Sequence, residues 1–376
     1  MIRQTAAHVD LGALAHNARA ILDLVATAGG RAPGLVGVVK ANAYGHGAAE
    51  AGRALLGAGA RMLACADLEE AAALRRAGLP GPILVFGALG LGDLDAVFEH
   101  GLTPTIASPT SARRLQAAAE ARGVRLRYHL EIDTGMNRLG FRHDNLARTM
   151  PELLACGNLE LEGVYTHFAT ADVPGDELFA RQRRRFDEAN LALAGLGARG
   201  YLRHAANSAA LLAEPSTWFD LVRPGLLLYG VAPPQLASRI AVKPVMSLRS
   251  RVAAVKGVRP GEIIGYGGRF TAERPTTMAV VPAGYADGID WRLAGRGWAL
   301  VRGRRAPIVG SVCMDMITLD VTGIGAEPGD EVALTGRQGA DEITVEEVAG
   351  WAGTIPYELL CRVGARVERV YTNPAP

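Results

Sequence analysis

Residues 35–40 read LVGVVK, and residues 40–47 continue as KANAYGHG. The first six are short, apolar and rich in valine. Such a run, stopped by a charged residue, predicts a strand buried on both faces. Seven further runs of the same kind follow: MLACA (62–66), ILVFG (83–87), TPTIA (103–107), RYHLEID (127–133), LEGVYT (161–166), YLRHA (201–205) and FDLVR (219–223). Between them lie Ala/Leu/Arg/Glu-rich stretches with helical spacing, among them DLEEAAALRRAG (67–78) and SPTSARRLQAAAEARG (108–123). The second opens on Ser-Pro-Thr and closes on glycine, a start and a stop for a helix. Eight strand–helix units in a row predict a (β/α)8 TIM barrel, an α/β fold. The alternative, an open doubly wound sheet, favours a G-x-G-x-x-G after its first strand, and KANAYGHG does not supply one.

After Gly230 the texture changes. VAPPQLASRIAVKP (231–244) carries three prolines and reads as a linker. Beyond it the apolar period becomes two. Met246, Leu248, Val252 and Ala254 alternate with Ser247, Arg249, Arg251 and Ala253; Ile317, Leu319 and Val321 alternate with Met316, Thr318 and Asp320. This predicts a mostly β C-terminal domain, interrupted by one short helix over 344–353. The expected division is a barrel at 1–240 and a β domain at 241–376.

Composition narrows the function. The 40 basic and 38 acidic residues leave a formal charge of +2, which argues against a nucleic-acid partner. No apolar run reaches the roughly 18 residues that cross a bilayer, so no membrane partner is expected. MIRQTAAHVDLG at the start lacks the apolar stretch of a secretory signal. Four scattered cysteines without a C-x-x-C predict neither a disulfide framework nor a metal site, and fit a reducing cytoplasm. Only three of the 40 basic residues are lysine: Lys40, Lys243 and Lys256. A chain that uses arginine almost everywhere keeps a lysine where arginine cannot serve. Lysine can lose its proton and form a Schiff base. Lys40 closes the first strand, at the barrel end that carries active sites. Lys243 and Lys256 read as ordinary surface residues.

Polar residues fall at other strand ends too. Arg138 follows strand five, His167 ends strand six, Asn207 and Ser208 follow strand seven, and Arg223 ends strand eight. Ser208 and the turn at Gly225 and Leu226 occupy the places where barrels hold a phosphate on backbone N–H groups.

Taken together, VVKANAYGHG (38–47), DTGMNRLGF (133–141), THFATAD (166–172), RPGLLLYG (223–230), IGYGGRF (264–270), PAGYADG (282–288) and GSVCMD (310–315) resemble the alanine racemase family. The likeness runs from about residue 9 to 366. It implies a pyridoxal 5'-phosphate (PLP) enzyme with a barrel and a β domain, racemising alanine and supplying D-alanine for peptidoglycan. By this resemblance Lys40 tethers PLP. Tyr44, Ser208, Gly225, Leu226 and Tyr357 hold its phosphate, with Asn207 beside them. Arg223 faces the pyridine nitrogen. His167 lies near the ring and bridges Arg223 to Tyr266. Tyr266 is the second base. Arg138 and the backbone N–H of Met314 bind the substrate carboxylate, with Asp315 and Tyr285 as supporting groups. Asp172, Tyr285 and Arg292 line the access corridor. Family members form head-to-tail homodimers, so Tyr266 and Met314 are expected to serve the partner subunit.

Two positions depart from the family pattern. Glu131 stands where many members carry a carbamylated lysine, and a direct pair between Glu131 and Arg138 is expected in its place. Ser311 stands where some relatives carry arginine near the corridor.

The chemistry suits these roles. Racemisation takes a proton from one face of the α-carbon and returns one to the other, so two bases on opposite faces fit. An arginine against the pyridine nitrogen cannot accept a proton bond, so the ring stays unprotonated and a weaker electron sink. A racemase of broader scope, for serine or lysine, is the nearest alternative, since small apolar pockets discriminate one methylene by only ~1–3 kcal/mol. A non-catalytic PLP carrier would lack the second domain and Tyr266. A PLP decarboxylase would oppose the pyridine nitrogen with an acid, where this chain has Arg223.

Overall fold

The computed structural model describes residues 4–27, 32–87 and 94–373. They form two compact units. One comprises residues 14–43 and 48–243, the other residues up to 13, 44–47 and those from 244 on. The first strand, β1 (Ala6–Asp10), belongs to the second unit.

In the first unit every one of the eight expected runs forms a strand: β2 (Gly34–Val38), β3 (Met62–Cys65), β4 (Ile83–Val85), β5 (Thr103–Ile106), β6 (Leu126–Asp133), β8 (Leu159–Tyr165), β9 (Leu202–His204) and β10 (Leu221–Val222). A two-residue strand, β7 (Phe141–Arg142), lies beside β6. The order is β5-β4-β3-β2-β10-β9-β8-β6, all parallel, and β5 pairs with β6 to close the ring. That closing pair excludes the open doubly wound sheet. Val36, Met62, Ala64, Leu84 and Leu221 pack into one apolar cluster with Phe86 and Leu202.

The helices begin where the sequence signals them. Ser108 caps the helix Pro109–Ala121, its hydroxyl accepting the Ser111 N–H at 3.2 Å, with Pro109 in the first turn. Asp67 caps Leu68–Arg76, which carries Glu69 and Glu70 in its first turn and Arg75 and Arg76 in its last, complementing the helix dipole.

The second unit is built on a nine-stranded sheet. Its members are β1, β11 (Met246–Arg251), β12 (Ala254–Val258), β15 (Thr276–Val281), β16 (Trp298–Val301), β17 (Arg304–Val309), β18 (Ile317–Asp320), β19 (Glu331–Ala333) and β22 (Glu368–Thr372). Two small hairpins accompany it: β13 (Ile263–Ile264) with β14 (Phe270–Thr271), and β20 (Gly336–Gln338) with β21 (Asp341–Ile343). Ile317, Leu319 and Val321 are buried, as the period of two requires, while Thr318 and Asp320 are only partly so. Ser250 takes an inward position on β11 and is accommodated by the Thr5 hydroxyl at 2.8 Å.

The expected helix forms at Val345–Ala352, with a capping box between Thr344 and Glu347 and Gly353 at its left-handed end. A second helix, Pro356–Cys361, was not expected. It is too short for its periodicity to register, and Pro356 in its first turn is its only sequence signal.

The units divide at 243/244 rather than 240/241, and β1 departs from the N-terminal assignment. Its reason is pairing. β1 lies between β11, antiparallel, and β22, parallel, with Ala7 and Val9 buried in the sheet. Removing residues 1–10 touches no barrel strand but bares two edges of the second sheet. Limited proteolysis of that truncation is expected to degrade the chain beyond residue 244 first, leaving a barrel-sized fragment.

Candidate active site

In the barrel unit, the backbone leaves β2 through Val39 and reaches Lys40 at the head of a left-handed turn. Ala41, Asn42, Ala43 and Tyr44 have φ of 51°, 53°, 55° and 51°. Each such residue carries roughly 1–2 kcal/mol of strain for an L-amino acid. Consecutive strained residues of this kind mark a functional constraint on the backbone.

Arg223 follows β10 and is 4% exposed. Its Nη1 donates to His204 Nδ1 at 2.9 Å, and its Nη2 donates to the carbonyls of Thr166 (2.7 Å) and Ala205 (3.1 Å). Guanidinium nitrogens only donate. His204 Nδ1 must therefore be an acceptor, which leaves its proton on Nε2. That proton points at His129 Nδ1, 2.8 Å away. His129 then carries its own proton on Nε2, facing Glu162 Oε2 at 3.6 Å. The tautomers are thus fixed in series from Arg223 outward. Burial first, then the charge of Arg223, pushes His204 far below the ordinary imidazole range. His129 is lowered chiefly by burial. Burial pulls Arg223 itself down to about 10, so it remains a cation at neutral pH.

His129 on β6 and His204 on β9 meet across β8. The strand between them gives way at Gly163, where a Cβ would stand 2.7 Å from the His129 ring. The β6–β8 register also slips between Tyr128 and His129. Tyr165 stacks on His204, with ring centroids 4.9 Å apart. His129, His204, Glu162 and Tyr165 were not singled out from the sequence. The available signal was a histidine within a barrel strand in each case, His129 in the largely buried β6 and His204 at the end of β9.

Asn207 caps the helix Ser208–Ala213 through the Ala210 N–H at 3.0 Å. The buried Ser208 hydroxyl accepts the N–H of Gly225 at 2.9 Å and approaches that of Leu227 at 3.4 Å. This brings Asn207, Ser208, Gly225 and Leu226 together, where two short helices begin. Their first N–H groups lack intrahelical acceptors and suit an anion.

His167 follows β8. Burial first, then Arg223, Arg138 and Lys40, pushes its imidazole down to about 3. It is neutral, among three cations. The expected bridge from Arg223 through His167 does not form as a hydrogen bond. The imidazole bonded to Arg223 is that of His204, one strand over.

Glu131 is 5% exposed, and burial raises its pKa against the pull of Arg138, Arg223 and the Tyr165 hydroxyl. Among the described residues it forms no ion pair with Arg138, and its Oε2 has no hydrogen-bond partner. The expected direct pair is replaced by a through-space interaction. Arg138 sits exposed on a loop shaped by Asp133, which accepts the N–H groups of Gly135 (2.9 Å) and Asn137 (3.0 Å). That loop leaves the guanidinium solvated.

In the second unit, Tyr44 and Tyr357 bring their rings to 6.1 Å. Gly45 is required beside them, since a Cβ there would lie 2.1 Å from the Leu360 carbonyl oxygen. Tyr266 is 77% exposed, on a turn that follows Gly265 (φ 75°). Its carbonyl accepts the Ser311 hydroxyl at 2.8 Å, which gives the departing serine a place. The Met314 carbonyl accepts the Ala286 N–H (3.1 Å) and Arg366 Nη2 (3.2 Å). The Tyr285 N–H bonds the Cys313 carbonyl at 3.0 Å. Arg366 also grips Asp315 at 2.8 Å and the fully buried Asp287 at 2.9 and 3.0 Å. Met314, Asp315 and Tyr285 are thereby assembled, with Arg366 and Asp287 as anchors the sequence did not reveal. Arg292 is committed to Asp290, whose carboxyl it holds down to about 2.

The described residues hold no His/Cys/Asp/Glu group suited to a metal ion. They do fit PLP. Arg223 is a buried cation whose Nε–H and second Nη1–H are engaged by none of the described residues, which suits a neutral acceptor nitrogen.

The chain is similar to known proteins along nearly its whole length. Residues 9–233 match the family described as "Alanine racemase, N-terminal domain", and residues 245–371 its "C-terminal domain" counterpart. The alanine racemase of Symbiobacterium thermophilum is 41% identical over 372 residues, 98% of this chain and 97% of that protein. That of Desulforamulus reducens is 43% identical over 370 residues, 97% and 98% of the two chains. Among solved structures, alanine racemase from D-cycloserine-producing Streptomyces lavendulae superposes with a TM-score of 0.92 at 37% identity, covering 99% and 97% of the chains. The Bacillus anthracis enzyme with bound L-Ala-P gives 0.92 at 35% identity, covering 100% and 96%.

The buried histidines set a pH dependence. A folded pKa below the unfolded value means that unfolding takes up protons in between, so stability falls as pH drops below about 6.5. For His167 the loss reaches up to about 2 kcal/mol at pH 5; Glu131, pushed upward, works in the opposite sense. Urea midpoints measured from pH 7.5 to 5 are expected to fall, and His167→Gln, which does not titrate, is expected to flatten that fall.

Proposed function

Because this chain belongs to the alanine racemase family, we propose that Lys40 and Tyr266 are the two bases by which it works. It interconverts L- and D-alanine with PLP as cofactor, and so supplies D-alanine for peptidoglycan. PLP, when bound, delocalises the charge left on the α-carbon as its proton departs.

The rest is the work of the chain. Lys40 tethers the cofactor and takes or returns the proton on one face. Tyr266 does so on the other. Ser208, Gly225 and Leu226 would hold the phosphate, Gly225 already tied through its N–H to the Ser208 hydroxyl, with Asn207 fixing the helix start and Tyr44 and Tyr357 adding phenols. Arg138 and the Met314 N–H hold the substrate carboxylate. Glu131 orients Arg138 through space, without a direct pair. Asp315 and Tyr285 steady the Met314 peptide. His167 is neutral and would lie near the cofactor ring.

One observation carries this reading: the buried Arg223 with unused donors, backed by a neutral imidazole that can only accept from it. A guanidinium in that place would donate to the pyridine nitrogen and would not protonate it, making the cofactor a weaker electron sink.

In this reading the barrel unit provides most of the cofactor platform, and the unit that runs from residue 244 on provides the second base and the subunit contacts. The exposure of Tyr266 at 77% and Met314 at 53% supports a head-to-tail homodimer in which both serve the partner subunit's Lys40. Four cysteines outside any disulfide suit a cytoplasmic location. No helix among the described residues is long and apolar enough to cross a membrane.

Lys40→Ala is expected to abolish both the visible absorbance of bound PLP and the appearance of D-alanine from L-alanine. Tyr266→Phe is expected to cut racemisation by about 10²–10⁴-fold; full-rate turnover in both directions would discard the two-base assignment. Glu131→Gln removes the charge facing Arg138, and its KM for alanine should rise several-fold with kcat little changed.

A further inference from the structure

The stretch Asp67-Leu68-Glu69-Glu70 has the form of a helix-start capping box. Asp67 accepts the Glu70 N–H at 2.9 Å. In the usual box the glutamate three residues on returns to the cap residue's own N–H. Glu70 goes elsewhere. Its Oε2 accepts the N–H of Ala66 at 2.8 Å, and its Oε1 accepts the N–H of Ala41 at 2.6 Å. Ala41 is the residue after Lys40.

The surrounding ladder gives this contact its meaning. Between the exits of β2 and β3 the ladder ends with the Val39 N–H donating to the Ala64 carbonyl at 2.8 Å. The next carbonyl on the β3 side, that of Ala66, is taken by the Gly87 N–H at 2.8 Å. Ala41 therefore leaves the sheet without a backbone acceptor on β3, and a single carboxylate takes both of the next donors. It does so at the head of the left-handed turn, where four non-glycine residues in succession hold positive φ. Asn42 closes the far end, its Oδ1 accepting the Ala48 N–H at 2.8 Å. The turn is thus held by side chains at both ends. An ionised acceptor makes the stronger kind of hydrogen bond, and Glu70 supplies it on the Lys40 side.

We propose that Glu70 is a positioning residue for Lys40: its carboxylate staples the strained turn to the end of β3 and fixes the backbone from which the amine projects. This rests on the reading of Lys40 as the cofactor's tether. Without the staple the Ala41 peptide is free to rotate toward the right-handed region, and the amine moves with it.

The test compares Glu70→Ala, Glu70→Gln and the double variant Glu70→Ala/Ala41→Gly in the full-length enzyme. The readouts are PLP affinity by visible titration, kcat and KM for L-alanine, and the melting temperature. Glu70→Ala is expected to weaken PLP binding and lower kcat by about tenfold or more, as sub-ångström misplacement of a reacting group does. KM should stay within about twofold. Glu70→Gln keeps one acceptor oxygen and should fall between. Glycine adopts positive φ without strain, so Ala41→Gly should recover part of the loss. Wild-type kcat and PLP affinity in Glu70→Ala would overturn the proposal, as would a loss that Ala41→Gly does not relieve. If Glu70→Ala does not fold, Glu70→Gln decides by the same measurements, and wild-type values there count against the staple. Lys40→Ala run in parallel separates the two readings. If it keeps bound-PLP absorbance and activity, the tether reading fails; if it loses both while the Glu70 variants behave as wild type, only the staple fails.

Discussion

A buried guanidinium that no carboxylate among the described residues touches governs the barrel end of this protein. Leaving an isolated charge in a low-dielectric interior is costly, and proteins offset it with hydrogen bonds or compensating charge. Here the offset is spread. Two backbone carbonyls and one imidazole accept from Arg223, and the nearest carboxylates act across a distance, Glu131 through space and Glu162 at the end of two histidines. The arrangement works in one direction only. A proton added to either histidine would set donor against donor, so burial and the fixed charge keep both rings neutral. The glycine on β8 belongs to the same solution, because the two rings can meet only where the intervening strand carries no side chain.

The second unit solves a different problem with similar means. A peptide that is to present its N–H to a ligand needs its carbonyl held still. The Met314 carbonyl is held by a backbone N–H and by Arg366, and Arg366 is itself locked on a buried aspartate. Gly284 lies so close that a Cβ would overlap the Met314 carbonyl at 2.3 Å. Tyr266 has the opposite setting: its backbone is tied through Ser311 while its ring stands in the open. A rigid base under an exposed side chain suits a group that functions only after association.

The barrel was legible because its strands are buried on both faces, and eight short apolar runs stand out against arginine-rich helices. Lys40, Arg223 and Ser208 were legible from strand ends and from resemblance. Other features left weaker marks. β1 is not among the eight runs read from the sequence, and only long-range pairing with β11 and β22 assigns residues 6–10 to the other sheet. His129 and His204 look like imperfections in buried strands until their rings are seen to touch across β8. Glu131 and Arg138 could be matched by position, but whether they touch depends on the loop that Asp133 shapes. Glu70 carries a familiar helix-start pattern, and the pattern conceals that its carboxylate has been turned to a neighbouring strand.

The left-handed turn after Lys40 has an implication for the order of assembly. A right-handed turn can nucleate from local contacts, but this one is disfavoured by its own residues and is held by groups that arrive from β3, from the helix behind it and from Ala48. It can take shape only once those neighbours are in place. The segment that presents Lys40 therefore takes its shape last, on a scaffold already formed, once β3 and the helix behind it are in place.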